Sequence, residues 1–120
     1  MSCADFMGEL FLARDVAHSV HLNTRSYSKH KALRHFYEDV LDAADKFAEA
    51  YQGRHGLIGP ISLKSARKDG AILPFLEDSL AYIEENRYKV CGKTDTTLQN
   101  IIDEIIAVYL SAIYKLKFLA

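Results

Sequence analysis

Cysteine is scarce in this chain of 120 residues. The two present, Cys3 and Cys91, are isolated, so they build neither a disulfide framework nor a zinc site. As free thiols they fit a reducing compartment, and a cytoplasmic location is expected. Proline and glycine are few as well, two and six, and both prolines, Pro60 and Pro74, fall around one mid-chain stretch. Few breakers among many helix formers predict an all-α fold. No uninterrupted apolar run is long enough to span a membrane, because the most apolar segment, 101–119, contains Asp103, Glu104, Lys115 and Lys117. The first fifteen residues carry Asp5, Glu9 and Asp15 in place of the basic flank and apolar run of a signal peptide. A net charge of -1 and the lack of a lysine-rich tail argue against a nucleic-acid-binding surface. There is no glycine-rich phosphate loop, no nucleophile elbow and no CxxC pair, so serine or cysteine nucleophile chemistry has no support.

What the chain does have is about half apolar and a quarter charged residues, the make-up of one ordinary globular domain covering 1–120. Apolar spacing predicts four helices packed as an antiparallel bundle. The first runs from about Ala4 to Asn23, with Phe6, Leu10, Ala13, Ala17 and Val20 toward the core. A second stripe beside it, Met7, Phe11, His18 and Leu22, asks for another packed surface, and a neighbouring subunit would provide one. A turn around 23–28 leads to a helix reaching about Gln52, capped by Ser26 or Ser28. Its seam is Leu33, Phe36 or Tyr37, Val40, Ala44, Phe47 and Tyr51.

Glycines at 53, 56, 59 and 70 punctuate a long, rather apolar connection in which 62–68 can form a short helix or lie across a subunit contact. In an up-down-up-down bundle it would bridge the ends of the second and third helices. Pro74 suits the first turn of the third helix, which ends near Tyr88 or Val90. Thr96 and Gln99 match a capping box for the fourth, whose core stripe is Leu98, Ile102, Ile105, Tyr109, Ala112, Leu116 and Leu119. Ile101, Ile106, Val108, Leu110 and Ile113 leave that last helix apolar nearly all round, again suggesting an oligomer.

Candidate chemistry concentrates between Asp15 and Glu49. His18, His21, His30 and His35, four of the five histidines, lie there, followed by Glu38, Asp42, Asp45 and Glu49 on one helical stripe. A short turn brings His18 and His30 close, whereas fifteen residues at about 1.5 Å rise put His30 and Asp45 roughly 22 Å apart on one straight helix. A site joining both ends therefore needs two antiparallel copies, each giving histidines to one site and carboxylates to the other. Plainer roles fit the same residues. His18 can be a partly buried histidine with a backbone partner, His21 and His35 surface or structural residues, and the acidic stripe a solvated face.

The histidine-rich first hairpin and the carboxylates of the second helix resemble the ferritin-like superfamily, and specifically the Dps mini-ferritins. The similarity is best over Leu10 to Gly53 and returns in TTLQNIIDEIIAVYLSAIYKLKFL. In that family the ferroxidase site takes a histidine late in the first helix, another twelve residues on, an aspartate fifteen further and a glutamate four beyond. That pattern selects His18, His30, Asp45 and Glu49. The resemblance implies an inter-subunit site for iron, or zinc in its place, that oxidises Fe(II) with peroxide or oxygen for storage or detoxification. It also implies a homo-oligomer, at least a dimer through the first two helices or a cage. The competing expectation is a ferritin-like scaffold or interaction protein without a metal site.

Overall fold

Helix starts are set by side chains close at hand. The structure, a computed structural model, describes residues 2–65 and 71–120. Ser2 accepts a hydrogen bond from the Asp5 amide at 3.1 Å and opens α1 (Cys3–Asn23). Ser26 accepts from the Lys29 amide at 3.3 Å and opens α2 (Tyr27–His55). Gly56, at φ +91°, stops α2 in a conformation that side-chain-bearing residues rarely adopt. Helix α3 (Ile72–Val90) takes Pro74 in its first turn, where a missing N–H costs nothing. Helix α4 (Thr96–Phe118) corrects the expected capping box: Asp95 is the cap, accepting from the Leu98 amide at 3.2 Å.

Gln99 is drawn elsewhere by a stronger local need. The last carbonyls of α3 have no intrahelical donor. The Gln99 amide donates to the Arg87 carbonyl at 2.9 Å and the Cys91 carbonyl at 3.3 Å, while Arg87 Nε returns a bond to Gln99 Oε1 at 2.8 Å. One buried amide thus closes the end of α3 and ties it to α4.

Each helix packs on two others, α1 and α4 both touching α2 and α3, so the order round the bundle is α1, α2, α4, α3. Side-chain pairs fix the directions. Phe6 meets Phe47 and His21 meets His30, so α1 and α2 are antiparallel. Lys46 reaches Glu104 and Lys115 approaches His35, so α2 and α4 are antiparallel; Arg87 with Asp103 and Ser79 with Tyr109 do the same for α3 and α4. The chain therefore runs up-down-down-up, not the expected up-down-up-down. Both short turns force hairpins, and only this order makes every touching pair antiparallel. The result is a four-helix bundle whose two hairpins are joined by one long crossover.

That crossover leaves α2 along the start of α1. Ser62 donates its amide to the Ala4 carbonyl at 3.3 Å, and the connection passes so close to Gly8 that any side chain there would run into the Ser62 carbonyl. Residues 62–65 are not helical; the remainder of the expected short helix, to 68, and the glycine at 70 lie outside the described residues. Met7 is buried within its own chain, which corrects the idea that Met7 faces a neighbour.

The core is continuous through all four helices and follows steps of three and four residues: 6, 10, 13, 17 on α1; 33, 36, 40, 44, 47 on α2; 98, 102, 105, 109, 112 on α4. Phe36, buried, meets Tyr109 edge-on at 5.0 Å, and Tyr37 beside it is only half-buried. Each such large side chain contributes about 1.5–3 kcal/mol on burial. Val20 and Leu116 are half-buried and Leu119, beyond the end of α4, is exposed. Among the described residues no helix is long and apolar enough to cross a membrane.

Candidate functional site

The α1/α2 hairpin places three imidazoles in one seam. The turn at 24–26 is short enough to bring His21 and His30 face to face, with ring centroids 3.7 Å apart and planes 18° from parallel. His21 Nδ1 lies 2.6 Å from the His30 carbonyl oxygen, and His30 Nδ1 lies 2.8 Å from the His21 carbonyl oxygen. A carbonyl can only accept, so each Nδ1 carries the proton, and in the neutral ring the lone pair sits on Nε2. Nearly parallel stacked rings do not aim their in-plane lone pairs at one point about 2 Å from both, so His21 and His30 do not chelate a single ion.

His18 lies one turn before His21, its ring 6.0 Å from that of His21 and stacked on Tyr37 at 4.2 Å. It is exposed, and the backbone partner expected for it is absent among the described residues. That role belongs to His21, which is buried. An open groove of about 290 Å³, lined by Thr24, Arg25, Ser26, Tyr27 and His30, gives outside access to the seam.

Asp45 and Glu49 lie on the face of α2 turned away from the core. Both are exposed, and neither has an ion pair or hydrogen bond among the described residues. Glu38, on the same stripe, is taken by Arg34 at 2.9 Å. Among the described residues no three histidine, cysteine or acidic side chains come together in a way that could hold a metal ion. One chain thus pairs His21 with His30, leaves His18 beside His21 without the expected close approach to His30, and leaves Asp45 and Glu49 apart.

Inside the bundle is a polar chain that apolar spacing alone does not single out. Ser79 donates to Glu9 Oε2 at 2.7 Å and stands 2.8 Å from the Tyr109 hydroxyl, which therefore supplies the proton of that second bond. Lys64, from the crossover, pairs with Glu9 Oε1 at 3.2 Å and lies over the Tyr82 ring. Burial pushes the Tyr109 hydroxyl pKa up, its bond to Ser79 only partly opposing. Burial disfavours the Lys64 charge, but bonds to Tyr82 and Glu9 outweigh it and raise its pKa. The signal for it is a broken stripe: Glu9 falls between Phe6 and Ala13, and Ser79 between Leu76 and Ile83, at core spacing. A lone carboxylate held by a lysine and a hydroxyl is a satisfied structural group. It lacks the paired carboxylates of a di-iron centre inside a bundle.

Comparison with known proteins adds kinship. The chain is similar to the "Uncharacterized 14.6 kDa protein in mobD-ri intergenic region" of Enterobacteria phage T4, 29% identical over 116 residues that cover 94% of this chain and 86% of the phage protein. No solved structure matches it. A family model, described as Family of unknown function (DUF5856), matches residues 21–116, a span that holds His30, Asp45 and Glu49 and begins after His18. The chain belongs to the DUF5856 family.

Proposed function

We infer that this protein binds iron in the manner of a Dps mini-ferritin and oxidises Fe(II) at a site shared by two copies, for storage or detoxification. The observation that supports this reading is the state of the donors. Asp45 and Glu49 are solvent-facing carboxylates with no partner among the described residues, and His30 has its Nδ1 engaged, which leaves Nε2 for a ligand. Imidazole and carboxylate together suit Fe(II), or Zn(II) in its place. Two antiparallel copies of α2 would bring His30, with His18, level with Asp45 and Glu49 of the second chain. His18 and His30 bind Fe(II), Asp45 bridges or orients a second ion, and Glu49 completes the shell. Peroxide then takes one electron from each of two Fe(II) ions and is reduced to water; dioxygen is the other oxidant of the right class.

Anaerobic Fe(II) titration followed by admission of peroxide or oxygen tests the reading. Saturable binding at about one or two ions per chain and rapid oxidation are expected, both lost in His30→Ala with helical content kept. Chains carrying His30→Ala and Asp45→Ala, each inactive alone, should regain activity when mixed, because one site of a mixed dimer then holds every ligand. A folded wild-type protein that takes up no Fe(II) above background sinks the proposal. The second reading, a ferritin-like scaffold without metal, draws on the reciprocal His21 and His30 bonds, which stitch α1 to α2 whether or not an ion binds.

A further inference from the structure

Helix α4 buries Leu98, Ile102, Ile105, Tyr109 and Ala112 on one side, yet the opposite side is not a polar surface. There Asp103, Ala107, Leu110, Tyr114 and Lys117 follow at steps of four and three, with Phe118 four residues after Tyr114, and all six are exposed. Leu110 keeps 53%, Tyr114 54% and Phe118 72% of its surface in water, a cost that nothing among the described residues relieves. Because α4 stands diagonally across the bundle from α1, this strip is separate from the His18 and His30 seam.

We propose that this face of α4 is a two-fold interface with a second copy of the chain, the two α4 helices running antiparallel and crossing at Leu110. The strip is complementary to itself in that orientation. Asp103 lies seven residues before Leu110 and Lys117 seven after, each about 10 Å along the axis, so the carboxylate of each copy meets the ammonium of the other at both ends. Between them the small Ala107, three residues before Leu110, comes within one residue's rise, about 1.5 Å, of the large Tyr114, four after it, so each ring can fill the space over the other copy's alanine. Within its own chain Asp103 pairs with Arg87 and Lys117 with Glu77, but 61% of the Asp103 side chain and 42% of that of Lys117 remain exposed, so both can take a further partner. A parallel pairing would set Asp103 against Asp103 and Lys117 against Lys117.

Cysteine crosslinking with copper phenanthroline and dissolved oxygen tests it, two thiols closing to a disulfide as oxygen takes their electrons. Leu110→Cys should crosslink to itself across the axis. Asp103→Cys and Lys117→Cys should each stay single but crosslink when mixed. The native thiols are buried and give little background. By sedimentation, Leu110→Glu should weaken the dimer by at least about tenfold. Asp103→Lys and Lys117→Asp should each weaken it, and the double swap should restore it, circular dichroism showing all variants folded. Self-crosslinking of Asp103→Cys, no crosslink at Leu110→Cys, or failure of the double swap to restore association would each overturn the proposal, as would a wild-type chain that binds a different protein here and stays monomeric.

Discussion

His21 and His30 exchange hydrogen bonds with each other's main chain: each Nδ1 meets the carbonyl of the other residue, at 2.6 and 2.8 Å, while the rings stack between them. His21 is buried and His18, one turn earlier, is exposed. Replacing His21 with alanine should therefore remove a stack and the side-chain hydrogen bond to the His30 carbonyl, costing about 1–2 kcal/mol. His18→Ala should cost less than about 0.5 kcal/mol. Urea unfolding of the two variants reads the difference, and equal losses would mean that the seam is not held by His21.

Gly8 lies under the crossover. A methyl group there collides with the backbone of Ser62, which no rotamer change can relieve, so Gly8→Ala should destabilise by about 1–3 kcal/mol despite alanine's better helix propensity. Gly53→Ala, where nothing stands within 4 Å, should be neutral or stabilising. Thermal unfolding of both variants checks the sign.

At the start of α4, the expected cap and the observed one predict different mutants. Asp95→Ala should cost about 1 kcal/mol, since its side chain holds the Leu98 amide, and Thr96→Ala close to nothing. Gln99→Ala should cost about 1–3 kcal/mol by stripping the donor from the α3 carbonyls and the partner from Arg87. Denaturant melts that rank Thr96 above Asp95 would restore the capping box.

Alkaline pH should loosen the fold through the thiols. Burial pushes Cys3 from 9.0 up to about 12, with Cys91 nearby adding to the rise, and burial also raises Cys91. The unfolded chain gives up these protons first, so the folded state keeps their contribution below about pH 9 and loses it progressively toward about 12. Cys3→Ala should flatten that part of the stability curve. Because the thiolate is the nucleophile, both cysteines should react with an aromatic disulfide reagent at pH 8 only after denaturant is added.

Much of the molecule is legible in its sequence. The starts and ends of the helices, the stripes from Phe6 to Ala17 and from Leu33 to Phe47, and the outward position of Asp45 and Glu49 follow from spacing and capping, which are local. The short turn makes the first two helices neighbours, but the histidines it sets face to face are His21 and His30, not the expected His18 and His30. The buried role of His21 is not legible in this way, since its partner is a backbone carbonyl and no side-chain pattern advertises one.

What only the tertiary structure decided is which elements share a wall. A long connection permits either direction for α3, so the up-down-down-up order depends on packing between two hairpins and not on any residue in the turns. That order set Ser79 and Tyr109 beside Glu9, carried Lys64 over α1 and required Gly8 to have no side chain. Each is a contact across many residues of chain. Local periodicity says which face of a helix is buried, and the energy of the assembled bundle says against what.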